Sequence, residues 1–99
     1  MGGSLIGYAG ADWSRRRIAA VMGDAAARCA WLADLLGAVE MGDDAEMLLM
    51  QHRSVAAMRW AEGVFRAWAR SEAAVLQQLG PDDLMHARAI LDAAERAMP

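Results

Sequence analysis

Three side chains in this sequence have the chemistry of a nucleophile, a base or a soft metal ligand: Cys29, His52 and His86. A Cys-His nucleophile needs the thiolate beside an imidazole. Cys29 falls on the flank of an apolar helical face, where a small thiol packs as a hydrophobe. His86 points away from the apolar seam of its own helix. Both histidines read as surface residues, and no catalytic residue is expected. A di-iron bundle takes Glu-x-x-His pairs. Leu49 stands three residues before His52 and Asp83 three before His86. Asp83 is alone at a helix start. The run Met47-Leu48-Leu49-Met50-Gln51-His52 carries thioethers and an imidazole, which suit copper or haem iron. Met47 and Met50 share a face, but His52 is turned well away from it. The run reads instead as adaptable core or interface. No glycine-rich loop follows a strand, so no dinucleotide fingerprint is present. No metal and no cofactor are expected.

The arginines are the more informative groups. Arg59, Arg66 and Arg70 form a row spaced seven and four apart, and Arg15, Arg16 and Arg17 form a cluster. A guanidinium fork suits phosphate and carboxylate alike. The row therefore has two readings. It contacts an anionic partner such as nucleic acid, or it pairs with carboxylates of Asp34, Glu40, Asp43, Asp44 and Glu46, in the same chain or another. Asp24 and Arg28 are i,i+4 partners near the apolar arc of the first helix, and Glu72 lies near that of the second. Buried, they need partners; at an edge they are half wet.

Charge and composition narrow the classes. The net charge is −3, which opposes non-specific nucleic-acid binding. Sign alternates along the chain: residues 24–50 carry one Arg and six acids, residues 51–80 four Arg and two Glu. The chain is 57% hydrophobic, and Ala fills 23 of its 99 positions. That composition excludes a disordered chain, and a single cysteine excludes a disulfide scaffold. No uncharged apolar run approaches the roughly 18 residues of a membrane span. Arg15 to Arg17 follow the apolar start instead of preceding it, unlike a secretory signal. A cytoplasmic protein is expected. Arg and Ala without Lys or Asn point to a GC-rich bacterial or phage gene.

Punctuation and period predict the elements. Residues 1–11 read as a Gly-rich arm, flexible or docked on the surface, and residues 12–99 as one helical domain. Asp12 or Ser14 caps a first helix that runs to about residue 38. Asp43 with Glu46 has capping-box spacing and opens a second helix, with no clear stop before Gly80-Pro81, so it spans 43–79. A third covers 82–98. No period-two alternation calls for a strand. The expected fold is all-α: a three-helix antiparallel bundle or hairpin with a long central helix.

At 100° per residue the seam of the first helix holds Ile18, Val21, Ala25, Leu32, Leu35, Leu36 and Val39. That of the second holds Met47, Met50, Ser54, Met58, Ala61, Phe65, Trp68, Val75, Leu76 and Leu79; that of the third holds Leu84, Ala87, Leu91, Ala94 and Met98. The second helix has another apolar stripe on its far side: Leu49, Ala56, Trp60, Ala67 and Ala74. A helix apolar on two sides is buried on two sides. The third helix, folding back from Gly80, reaches only residues near 62–79, so the first hairpin is two helices thick. These patterns lead to a non-enzymatic protein–protein interaction module, such as an adaptor, chaperone, inhibitor or assembly factor. It self-associates through its second helix and binds another protein, with no membrane partner. The alternative is a nucleic-acid-associated subunit, of DNA-packaging or regulatory type, using the row Arg59, Arg66, Arg70.

Overall fold

A computed structural model describes the backbone of residues 2–99 and the side chains from Trp13 onward. It is all-α, with no strand among the described residues: α1 (Gly2–Gly37), α2 (Ala45–Ala69), α3 (Ala73–Leu76) and α4 (Pro81–Ala97). The bounds of α1 begin ten residues ahead of the start expected from Asp12. How the expected arm, residues 1–11, packs lies outside the described residues.

The turn between α1 and α2 is closed by three local devices. Gly42 takes a positive φ of 67°, a conformation that costs glycine nothing. Asp44, not Asp43, is the N-cap of α2. Its Oδ1 accepts the backbone N–H groups of Glu46 at 2.9 Å and Met47 at 3.3 Å. Gln51 reaches back from α2, and its Nε2 donates to the carbonyls of Leu36 at 2.9 Å and Val39 at 2.7 Å. Those carbonyls belong to the last turn of α1 and the turn after it, where the Leu36 carbonyl also accepts from the Val39 N–H at 3.2 Å.

The unbroken second helix expected over 43–79 does not form. α2 stops at Ala69, and Ser71 sits in the left-handed region at φ 54°. The Ser71 N–H donates to the Trp68 carbonyl at 3.1 Å and the Glu72 N–H to the Ala67 carbonyl at 2.9 Å. This pair of bonds is a Schellman termination, built with serine where glycine is the usual occupant. No glycine marks the break, which is why local punctuation passes over it. The last helix also starts earlier than expected. Pro81 occupies its first position, where the missing N–H costs nothing, and Asp83 Oδ2 accepts from the Gly80 N–H at 2.9 Å.

α1 and α2 form an antiparallel hairpin, with Gly37 against Val55 near the tip and Ile18 beside Trp68 at the other end. The break at residues 70–72 returns the chain so that α4 crosses the middle of the hairpin. His86 stacks on Trp60 of α2 at 5.4 Å, and Glu95 pairs with Arg28 of α1 at 3.3 Å. The core lies where the three meet: Ala25, Ala26 and Cys29 of α1, Ala61, Val64 and Phe65 of α2, Ala87 and Leu91 of α4.

This corrects the expected seams. On α1 the buried row is Ala25, Ala26, Cys29 and Ala33, while Ile18, Val21, Leu35 and Val39 are exposed and Leu32 and Leu36 half-buried. Interaxial distance follows the side chains at the contact, so the helices approach most closely along alanines, and the branched residues turn aside. On α2, Phe65 is buried as expected, but Met47 and Met50 are exposed, as is Val75, which falls in α3. On α4, Ala87, Leu91 and Ala94 are buried and the two ends, Leu84 and Met98, are not.

Phe65→Ala removes the only buried aromatic among the described residues, and should lower stability by about 3–5 kcal/mol. Ser71→Gly should raise it by about 1 kcal/mol, because it relieves a left-handed non-glycine residue. Urea midpoints at one fixed protein concentration check both. A loss below about 1 kcal/mol for the first contradicts the core as described. A loss for the second contradicts the termination.

Candidate interaction surface

The arginine row is engaged within its own chain. Arg59 donates to Asp34 of α1 and to Glu62 at 3.1 Å. Arg66 donates to the other oxygen of Glu62 from Nη2 at 2.7 Å and from Nε at 3.2 Å. Arg70 faces Glu72 at 3.9 Å. Asp34, Arg59, Glu62 and Arg66 thus make one ladder across the open side of the hairpin. Glu62 is its hub, with a side chain only 17% exposed. The Arg66 guanidinium, with that of Arg59 adding to it, holds the Glu62 carboxyl below the usual carboxylate range, against the opposing effect of burial. Hydrogen bonds to Asp34 first and Glu62 second push the Arg59 guanidinium further up. Glu62 lies three residues after Arg59 and four before Arg66. That spacing is a legible pairing signal on a helix, although Glu62 was not among the candidate residues.

Arg28 lies between Asp24 at 3.0 Å and Glu95 at 3.3 Å, half wet, and ties α4 to α1. Cys29 is fully buried, and burial first, then the fields of Glu62 and Glu95, push its thiol up. A reactive thiol needs the opposite environment. His86 is stacked on Trp60, and His52 lines a cleft at the tip with Gly37, Leu48, Gln51 and Val55. The three residues with nucleophile or ligand chemistry therefore have three separate surroundings. Among the described residues no group of three His, Cys, Asp or Glu is placed to hold a metal ion, and no helix is long and apolar enough to cross a membrane.

The far-side stripe divides in two. Ala67 is buried by its own chain, and Trp60 is half covered by His86 of α4. Leu49 and Ala56, nearer the tip, stay exposed, and Ala74 lies exposed beyond the helix break. Below Trp60 a cleft of about 510 Å³ opens between α2 and the start of α4, lined by Arg59, Trp60, Gly63, Val64, Val75 and Leu79 among others. What the described residues leave uncovered is the tip half of the hairpin. Leu35, Val39, Met47, Leu48, Leu49 and Met50 are all exposed there, Met50 to 63%.

The chain is elongated, 68 × 31 × 17 Å, and exposes 7184 Å². A compact monomer of 10.7 kDa exposes about 5,500 Å². The excess is of the size that one standard interface removes, or more, since such an interface covers about 800 Å² per partner.

No family model, curated protein or solved structure matches this chain.

The lowered Glu62 carboxyl makes the ladder sensitive to acid. A group whose folded value is depressed contributes fully above its ordinary value, here 4.5, and loses that contribution as pH falls through the folded value. Stability should therefore drop between neutral pH and pH values below 4.5 more steeply in the native chain than in Glu62→Gln. Urea midpoints at a series of pH values give the two slopes; parallel slopes contradict the ladder.

Proposed function

We propose that this chain is a non-enzymatic helical interaction module. It self-associates through its second helix and presents a protein-binding surface, in the manner of a small adaptor, chaperone, inhibitor or assembly factor. One observation carries the reading: the tip half of the hairpin, with Leu49 and the methionines of α2, is exposed and apolar in a chain with far more surface than its mass requires. Methionine fills irregular contacts and tolerates varied partners, so a Met-rich helical face suits binding better than a rigid core would. A cytoplasmic setting belongs to the same proposal.

The alternative, a nucleic-acid-associated subunit reading phosphates with Arg59, Arg66 and Arg70, has less support. Two of those guanidiniums already donate to carboxylates. Phosphate binding would have to break the ladder and would leave Glu62 facing the anion.

Light scattering tests the first reading. The native chain should have a mass above 10.7 kDa at tens of micromolar, and Leu49→Glu should reduce that mass while circular dichroism shows helicity retained. A native monomer overturns self-association. For the alternative, Arg59, Arg66 and Arg70 are all replaced by Gln, and retention on generic DNA in low salt is compared with the parent. No retention by the parent is expected. Salt-sensitive retention that vanishes in the variant would favour the nucleic-acid reading instead.

A further inference from the structure

The uncovered apolar face at the tip continues the surface that α4 covers lower down. Met47 and Met50 lie 18 and 11 residues before Phe65 and Ala61, which puts all four on one side of α2. Leu35 lies seven residues after Arg28, on the α4 side of α1, and Val39 stands exposed in the turn just past its end. α4 ends beside Arg28, so the groove beyond it stands open. Around its mouth sit Glu40, Asp43 and Glu46, all exposed.

The other end of α1 is the counterpart. Val21 and Ile18 lie seven residues before Arg28 and Ala25, again on the α4 side, and both are exposed. Trp13 is 61% exposed, with the Arg17 guanidinium over its ring at 5.3 Å. Arg15, Arg16 and Arg17 fan around this stretch. It is an amphipathic, basic helical segment, and the tip is an amphipathic, acidic groove. Arg16 and Gly37 are about 30 Å apart along α1 at 1.5 Å per residue. The Debye length in physiological salt is about 8 Å, so the two ends of one chain do not neutralise each other. Each is available to another copy.

We propose that residues 13–21 of a second copy cover the tip groove, with Val21, Ile18 and Trp13 against Met47, Met50, Leu35 and Val39, and with the arginines facing the tip acids. α4 stands as a ridge between the two exposed ends of this face. A fully antiparallel pair would bring two such ridges together, so the contact is head to tail, the α4 of each copy seated as a step beside its neighbour. A heterologous contact that does not close on itself extends with concentration. This inference rests on the self-association proposed above, and it names the surface.

The test uses two exposed positions. Val21→Glu spoils the basic end and leaves the tip intact; Met50→Arg spoils the tip and leaves the basic end intact. Each charge set in an apolar contact should weaken assembly by about a hundredfold. Each variant alone should be monomeric by light scattering. An equimolar mixture should give a complex of two chains and nothing larger, because it holds one intact groove and one intact segment. Added salt should shift native assemblies toward monomer. A variant that loses helicity is replaced by Arg16→Glu with Arg17→Glu, which spoils the same end from solvent-exposed positions. A native monomer sinks both proposals. Native assembly that persists in Val21→Glu, a mixture that stays monomeric, or a mass indifferent to salt sinks this one and leaves self-association standing.

Discussion

The seam of the hairpin is lined with alanine, and most other features of the chain follow from that. Ala25 and Ala26 pack with Ala61 and Phe65, Ala33 is buried further along α1, and Cys29 is the largest side chain completely shut off from solvent among the described residues. Small side chains let two helices approach closely over several turns. They also contribute little, since a buried methylene is worth about 0.8 kcal/mol and alanine has only a methyl to offer. The seam is therefore close but weakly stabilising. Where it does carry larger groups, Val64, Phe65 and Leu91, is where α4 crosses. The third helix supplies the thickness that an alanine seam lacks, and it does so only in the middle.

The same constraint decides what is outside. An α-helix of this composition has more large apolar residues than a narrow alanine seam can accept. They are displaced to the seam's edges, where α4 covers some and leaves the rest in water. The polar devices then act at the edges. The ladder of Asp34, Arg59, Glu62 and Arg66 closes one open side, and the Arg28 bridge to Glu95 closes the other. Exposed pairs contribute little each, near 0–1 kcal/mol. Their value here is in register: Arg59 to Asp34 and Gln51 to the end of α1 each fix which turn of α2 stands against which turn of α1. An alanine seam, smooth and low in shape, specifies register poorly without them.

Much of the fold was legible where the signal was chemical and local. Gly37 and Gly42, the acidic cap near residue 44 and Gly80-Pro81 mark three of the ends. Phe65, Ala87, Leu91 and Ala94 fall on the expected faces. The break after Ala69 was not legible, because Ser71 carries a left-handed conformation that serine rarely takes and nothing in the letters announces. The α1 seam was misplaced for a related reason. Hydrophobic weight points to Ile18, Val21, Leu35 and Val39, whereas close approach favours the alanines and Cys29 on the adjacent strip. Of the far-side apolar stripe of α2, Ala67 is buried within its own chain and Trp60 meets His86 of α4, while Leu49, Ala56 and Ala74 stay exposed. Arg59 and Arg66 meet at one carboxylate and Asp34 was among the named partners, whereas Arg70 is the C-cap of α2 and faces Glu72 instead. Glu62, the hub, needed the helical i,i+3 and i,i+4 spacing weighed from both arginines at once.

The disposition of charge has a final consequence. Because Glu62 and Asp34 absorb Arg59 and Arg66, Arg53 is the one arginine of α2 left near the acidic tip, and the only dense basic segment along the hairpin is Arg15 to Arg17 at the opposite end. A rod with unlike ends, each amphipathic and each too far from the other to be screened by it, is polar in the sense that matters for assembly. Sideways stacking in register sets like charge against like, acid tip beside acid tip. An offset of one hairpin length sets acid against base and apolar against apolar. Field and surface therefore favour the same arrangement, and that agreement between two independent interactions separates a specific contact from a merely sticky one.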